Sequence, residues 1–117
     1  MKVNKELMKG TTTLFVLQLL HDGDKYGYEM THELEARSEN LFQLKEGTLY
    51  PILHALENNG LIESYWEDTT LARKRKYYRI TEDGRKDLEK KKKEWNSYAK
   101  GVQQVIGGGA MYESFSF

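Results

Sequence analysis

Apolar positions recur along this chain with one period in its first half and another further on. Over residues 5–21 (KELMKGTTTLFVLQLLH), Leu7, Met8, Leu14, Phe15, Val16, Leu17, Leu19 and Leu20 come to cover most of a helical circumference. That pattern predicts a largely buried helix, closed by the stop and turn chemistry of Asp22 and Gly23. Residues 27–37 (GYEMTHELEAR) predict a second helix with Tyr26, Met30 and Leu34 on one face, and SENLFQLK reads as a connector. In EGTLYPILHALENNGLI (46–62), Leu49, Ile52, Leu53 and Leu56 fall at i, i+3, i+4 and i+7. This is the apolar stripe of a third helix, ending at Asn59-Gly60. Pro51 stands early enough in it to cost little hydrogen bonding.

The period then changes. LIESYWE and RKYYRIT are rich in Ile, Tyr, Trp and Thr, as strands are, and DTTLA between them reads as the loop of a hairpin. Thr81 is placed to cap a last helix from Glu82. Its Leu88, Trp95, Tyr98, Val102 and Val105 are spaced 7, 3, 4 and 3, a heptad seam that ends at the glycines 107–109. Helix, helix, helix, hairpin and long helix make an α+β winged helix-turn-helix: three helices, a two-stranded wing and a C-terminal dimerisation helix. The expected division is a winged-helix unit over 1–81, the last helix over 82–107 and a loose tail over 108–117.

The 117 residues suit one domain, small enough for association with a second copy to help it. No cysteine is present, which excludes disulfides and thiolate metal sites. The polar start MKVNKELMKG carries no signal-peptide pattern, and the longest apolar run, 14–17, is far too short to span a membrane. A cytoplasmic protein without membrane contact is expected. The net charge is zero, but it is unevenly spread. Residues 22–68 hold 3 Lys/Arg and 11 Asp/Glu, net −8, whereas residues 73–93 hold 11 and 4, net +7. Such asymmetry marks a local interaction surface.

Three stretches together closely resemble the PadR-type transcriptional regulators: KGTTTLFVLQLLHDGDKYGYEM, EGTLYPILHALENNGLIESYWED and RKYYRITEDGRKDL. The resemblance runs from about Lys9 to Leu88, and the segment EWNSYAKGVQQVIGG resembles the single-helix subfamily with multidrug-sensing members. It implies a homodimeric repressor that binds a palindromic operator on double-stranded DNA and releases it when a small aromatic or drug-like molecule binds, with no cofactor. Two features depart from the family pattern. The wing loop DTTLARKRK lacks the glycines common between the strands, and MYESFSF has no counterpart.

In such a regulator the outer side of the third helix gains a purpose. A helix in the major groove must bring that side close to base edges and phosphates. Gly47 permits close approach, Tyr50 offers a hydroxyl to phosphate, and His54 can donate to a base. Lys45 and Thr48 sit where the first turn meets phosphates. The plainer alternative is that Tyr50 and His54 only pack against a neighbouring helix. At the wing, Arg73, Lys74, Arg75 and Lys76 would hold phosphates, giving affinity rather than sequence information. The run 90–93 points all ways from its helix and reads as solvated.

A two-fold operator requires two copies about one duplex turn apart. Leu88, Tyr98, Val102, Val105 and Ile106 of the heptad seam would join them. Trp95, flanked by Asn96, either stacks on a planar ligand between subunits or simply fills the interface. The resemblance implies, for the first of these readings, a ligand cavity with Met8 and Phe15 as other walls; both readings stay open. An enzyme is not expected: His21, His32 and His54 are scattered, and neither an HExxH pairing nor a GxSxG elbow occurs. The serious alternative is a winged helix that binds another protein and no DNA, which would respond far less to salt.

Overall fold

The computed structural model describes residues 8–70 and 73–107. The first residues of the expected opening helix, two residues of the wing loop and the 108–117 tail lie outside the described part. In chain order the elements are α1 (Thr12–His21), β1 (Lys25–Tyr26), α2 (Gly27–Arg37), α3 (Glu46–Asn58), β2 (Ile62–Asp68), β3 (Lys74–Ile80) and α4 (Glu82–Val102). A 3-10 turn, Lys9–Thr11, precedes α1, and a π-helical turn, Gln103–Gly107, follows α4.

The opening helix is therefore not continuous: Met8 is α-helical, the 3-10 turn at Lys9–Thr11 interrupts the helix, and α1 resumes it at Thr12. The hydroxyls of Thr11 and Thr12 both donate to the carbonyl of Met8, at 3.0 and 3.1 Å. Such local side-chain bonds compete with regular helix, and Gly10 beside them is a weak helix former.

The three helices and the sheet share a single core. Val16, Leu17 and Leu20 of α1, Met30 and Leu34 of α2, and Leu49, Leu53 and Leu56 of α3 join Ile62, Tyr78 and Ile80 there. The N-terminus of α2 is secured by Glu29, whose carboxylate accepts from the Tyr26 N–H at 3.1 Å. Its other end is tied to α1 by Arg37, which lies 2.8 Å from Asp22 and also pairs with Glu33. That guanidinium holds the Asp22 carboxyl below its usual range, Gln18 and His21 adding smaller contributions.

The sheet has three strands, not two, in the order β1-β3-β2, both pairings antiparallel. The added strand is only Lys25 and Tyr26, paired with Tyr78 and Tyr77. Lys25 points inward and is buried, donating to the carbonyls of Leu19 at 2.8 Å and Gly23 at 3.1 Å.

Thr81 caps α4 as expected, accepting from the Gly84 N–H at 3.0 Å and donating to the Gly60 carbonyl at 2.7 Å. A Cβ at Gly84 would stand 2.1 Å from the Leu61 carbonyl oxygen, so only glycine lets the first turn of α4 approach the start of β2 this closely. Leu88, one turn on, is fully buried in the core. Such burial contributes about 1.5–3 kcal/mol relative to exposure.

Candidate nucleic-acid interface

The buried stripe of α3 (Leu49, Leu53 and Leu56, with Ile52 half-buried) leaves Lys45, Gly47, Thr48, Tyr50, Pro51 and His54 on the exposed side. Apart from its chain neighbours and its own helix backbone, nothing comes within 4 Å of where a Gly47 side chain would begin, so the backbone there is open to a ligand's approach. Tyr50 differs from the expectation. Its hydroxyl is turned toward α2, where a Cβ at Gly27 would lie 2.5 Å from it. Burial there, with Glu46 nearby, raises the phenol above its ordinary pKa. Part of Tyr50 remains exposed, but the hydroxyl seats against the start of α2 and does not point outward.

The wing places Arg73, Lys74 and Arg75 on the surface, with Lys76 half-buried near Trp66 and Tyr78, at 6.0 and 5.7 Å from their ring centres. The register sets Lys74 opposite Asp68 and Arg75 opposite Glu67. Positive side chains thus face negative ones across the hairpin. The loop is closed by the Thr69 N–H, which donates to the Arg73 carbonyl at 2.7 Å.

Away from that surface, α1, the connector and the middle of α4 bound a groove of about 1010 Å³. Phe15, Phe42, Trp95, Tyr98 and Val102 line it, with Lys91 and Glu94 among its walls. Phe15 and Phe42 meet at 4.7 Å between ring centres, and Trp95 sits edge-on to Tyr98 at 6.4 Å. Three expectations need correction. Met8 is buried in the core and does not line the groove. Asn96 is exposed and also lies off it. Leu88 is committed to its own protomer's core and cannot serve in a dimer seam. Phe42 was missed because it falls in SENLFQLK, which reads only as a connector between helices. A lone aromatic between Leu41 and Gln43 was the available signal.

Beyond Leu88, α4 leaves the core, and Tyr98, Val105 and Ile106 are 72%, 84% and 75% exposed. Among the described residues no helix is long and apolar enough to cross a membrane.

The comparisons with known proteins agree with this architecture. Residues 16–90 match the family model described as "Transcriptional regulator PadR-like family". An uncharacterized protein of Lysinibacillus sphaericus is 41% identical over 93 residues, which is 80% of this chain and 85% of that one. A transcriptional regulator of Mycobacterium tuberculosis is 32% identical over 104 residues, 89% of this chain and 91% of its own. Among solved structures, a transcriptional regulator from Clostridium thermocellum superposes with a TM-score of 0.80 at 36% identity, covering 86% of this chain and 98% of the other. The winged helix with its C-terminal helix, and a match over most of the chain, place this protein in the PadR-like family of transcriptional regulators, which bind DNA and are not enzymes.

Proposed function

We propose that the protein is a homodimeric repressor that grips a palindromic operator with two copies of α3 and two wings, and lets go when a planar aromatic molecule enters the groove beside Trp95. The observation that carries this reading is the far half of α4 and the π-helical turn after it, where Tyr98, which lines that groove, and Val105 and Ile106 just beyond it stand uncovered. A helix of 21 residues is about 31 Å long, and only its start is buried against its own protomer. Exposed apolar surface of this kind marks an interaction site, and a second copy, meeting it through α1 and α4, is the occupant that a two-fold operator requires.

On α3, Lys45 and Thr48 take phosphates at the first turn, while His54 and the exposed part of Tyr50 meet bases. Arg73, Lys74 and Arg75 hold the flanking backbone. Release works through Phe42. It lines the groove against Phe15 and stands three residues before Lys45, the N-cap of α3. A ligand that displaces it shifts the start of the reading helix. It can do so only by favouring the DNA-incompetent arrangement.

Two measurements test the proposal. Replacing Arg73 and Arg75 by Ala should weaken binding to every duplex and lower the slope of log affinity against log salt by about one unit for each phosphate no longer engaged. An unchanged slope removes the wing from the interface. In a Trp66→Phe background, Trp95 fluorescence should be quenched by planar aromatic cations or phenolic acids. A flat titration with all of them leaves Trp95 a packing residue only.

A further inference from the structure

The sheet carries a row of rings to which the DNA contacts above give no role. Tyr26 of β1 sits edge-on to Tyr77 of β3 at 5.4 Å, and Tyr77 stacks on Tyr65 of β2 at 5.8 Å. The three are cross-strand partners along one line of the register, so their rings rise from the same face. A guanidinium covers each end of the row. Arg79 lies 4.8 Å from the centre of Tyr65, and Arg75 lies 4.5 Å from that of Tyr26.

The two ends are built differently. Arg79 pairs with Glu63 at 3.1 Å and Asp24 at 3.8 Å, and the Tyr65 hydroxyl donates to Asp24 at 2.7 Å. That end is a closed structural network. At the other end, among the described residues, the face of Tyr26 is what holds the guanidinium of Arg75. Tyr26 is in turn firmly placed, because Lys25 before it is pinned to the end of α1 and Gly27 after it receives the Tyr50 hydroxyl. Two consecutive residues thus touch both the wing, through Arg75, and the reading helix, through Tyr50.

We propose that Tyr26 is a positioning residue for DNA binding. Its ring orients Arg75 and, with Gly27 seating Tyr50, fixes the wing relative to α3 so that one duplex meets both. This rests on the reading in which Arg75 contacts phosphate. A guanidinium stacked on a ring keeps its N–H edges free for an anion. It has also already given up the rotamer freedom that a phosphate contact would otherwise cost.

The test uses the full chain and a labelled mixed-sequence duplex, with binding followed against salt for the wild type, Tyr26→Phe, Tyr26→Leu, Arg75→Ala and the Tyr26→Leu/Arg75→Ala double variant. Tyr26→Leu should weaken binding about two- to five-fold, the size of an exposed cation–π contact, and move the salt slope toward that of Arg75→Ala. Tyr26→Phe should bind as the wild type does, and Tyr26→Leu should add nothing once Arg75 is gone. Wild-type binding by Tyr26→Leu, or losses that add in full, would overturn the proposal. A second measurement needs no variant to fold: in the unsubstituted protein the Hδ protons of Arg75 should resonate upfield, in the ring current of Tyr26. Random-coil positions for those protons would overturn it equally. Arg75→Ala binding like the wild type would instead sink the wing reading itself, and this proposal with it.

Discussion

Lys74 and Arg75 face Asp68 and Glu67 across the hairpin, so the wing is far less positive than its run of four basic residues suggests. Its field on an approaching duplex is partly cancelled at short range. The double variant Glu67→Gln/Asp68→Asn should therefore bind DNA about three- to ten-fold more tightly at low salt, and the gain should shrink at high salt as screening takes over. Fluorescence anisotropy at two ionic strengths checks this. The Asp22–Arg37 pair makes a different prediction. The folded state holds the Asp22 carboxyl below its ordinary range, so its contribution to stability is present at neutral pH and is lost as pH falls through that lowered value. Asp22→Asn should be less stable than the wild type at pH 7, and the difference should vanish in acid; thermal melts across that window measure it. The residues on the exposed side of α3 and at the wing were legible because helical and strand periods assign faces directly. Tyr50 was not, since a period gives the direction of a side chain and not what its far end meets. Leu88 failed for a related reason. It lies on the same stripe as Trp95, and spacing alone does not say where a stripe leaves its own core.

At the scale of elements, the three helices, the hairpin and the last helix emerged from apolar spacing and turn residues. The strand β1 did not, because two residues carry no periodicity. It exists through the pairing of Lys25 and Tyr26 with Tyr78 and Tyr77, far along the chain. The 3-10 turn before α1 depends on which carbonyl two threonines choose, and hydrophobic pattern is silent on that. Gly84 is the most exacting position in these joints. In an open helix, glycine to alanine would stabilise by about 1 kcal/mol. Here the new methyl would meet the Leu61 carbonyl, which is backbone and cannot swing away. Gly84→Ala should instead destabilise the fold by about 1–3 kcal/mol, read from urea denaturation.

Taken as a whole, the chain separates its charge, net −8 over 22–68 and net +7 over 73–93, while summing to zero. Composition alone would have argued against a nucleic-acid partner; distribution and placement argue for one. The turn that follows α4 bears on assembly. If the proposed dimer forms through this surface, substituting Val105 and Ile106 by Asp should convert it to a monomer by analytical ultracentrifugation, with both side chains outside the chain's own core and its fold therefore intact by circular dichroism. Affinity for a palindromic duplex should fall about 10²–10⁴-fold, as it does when two linked sites become one. The close seat of Gly84 on Leu61 has a mechanical corollary. With its base clamped against the strand that leads into the wing, α4 acts as a lever whose fulcrum lies at the hairpin's root. Over about 31 Å, a pivot of roughly 5° carries the distal tip some 3 Å. In the dimer proposed above, a small adjustment at the subunit contact would then swing the hairpin and α3 of each copy as one rigid piece.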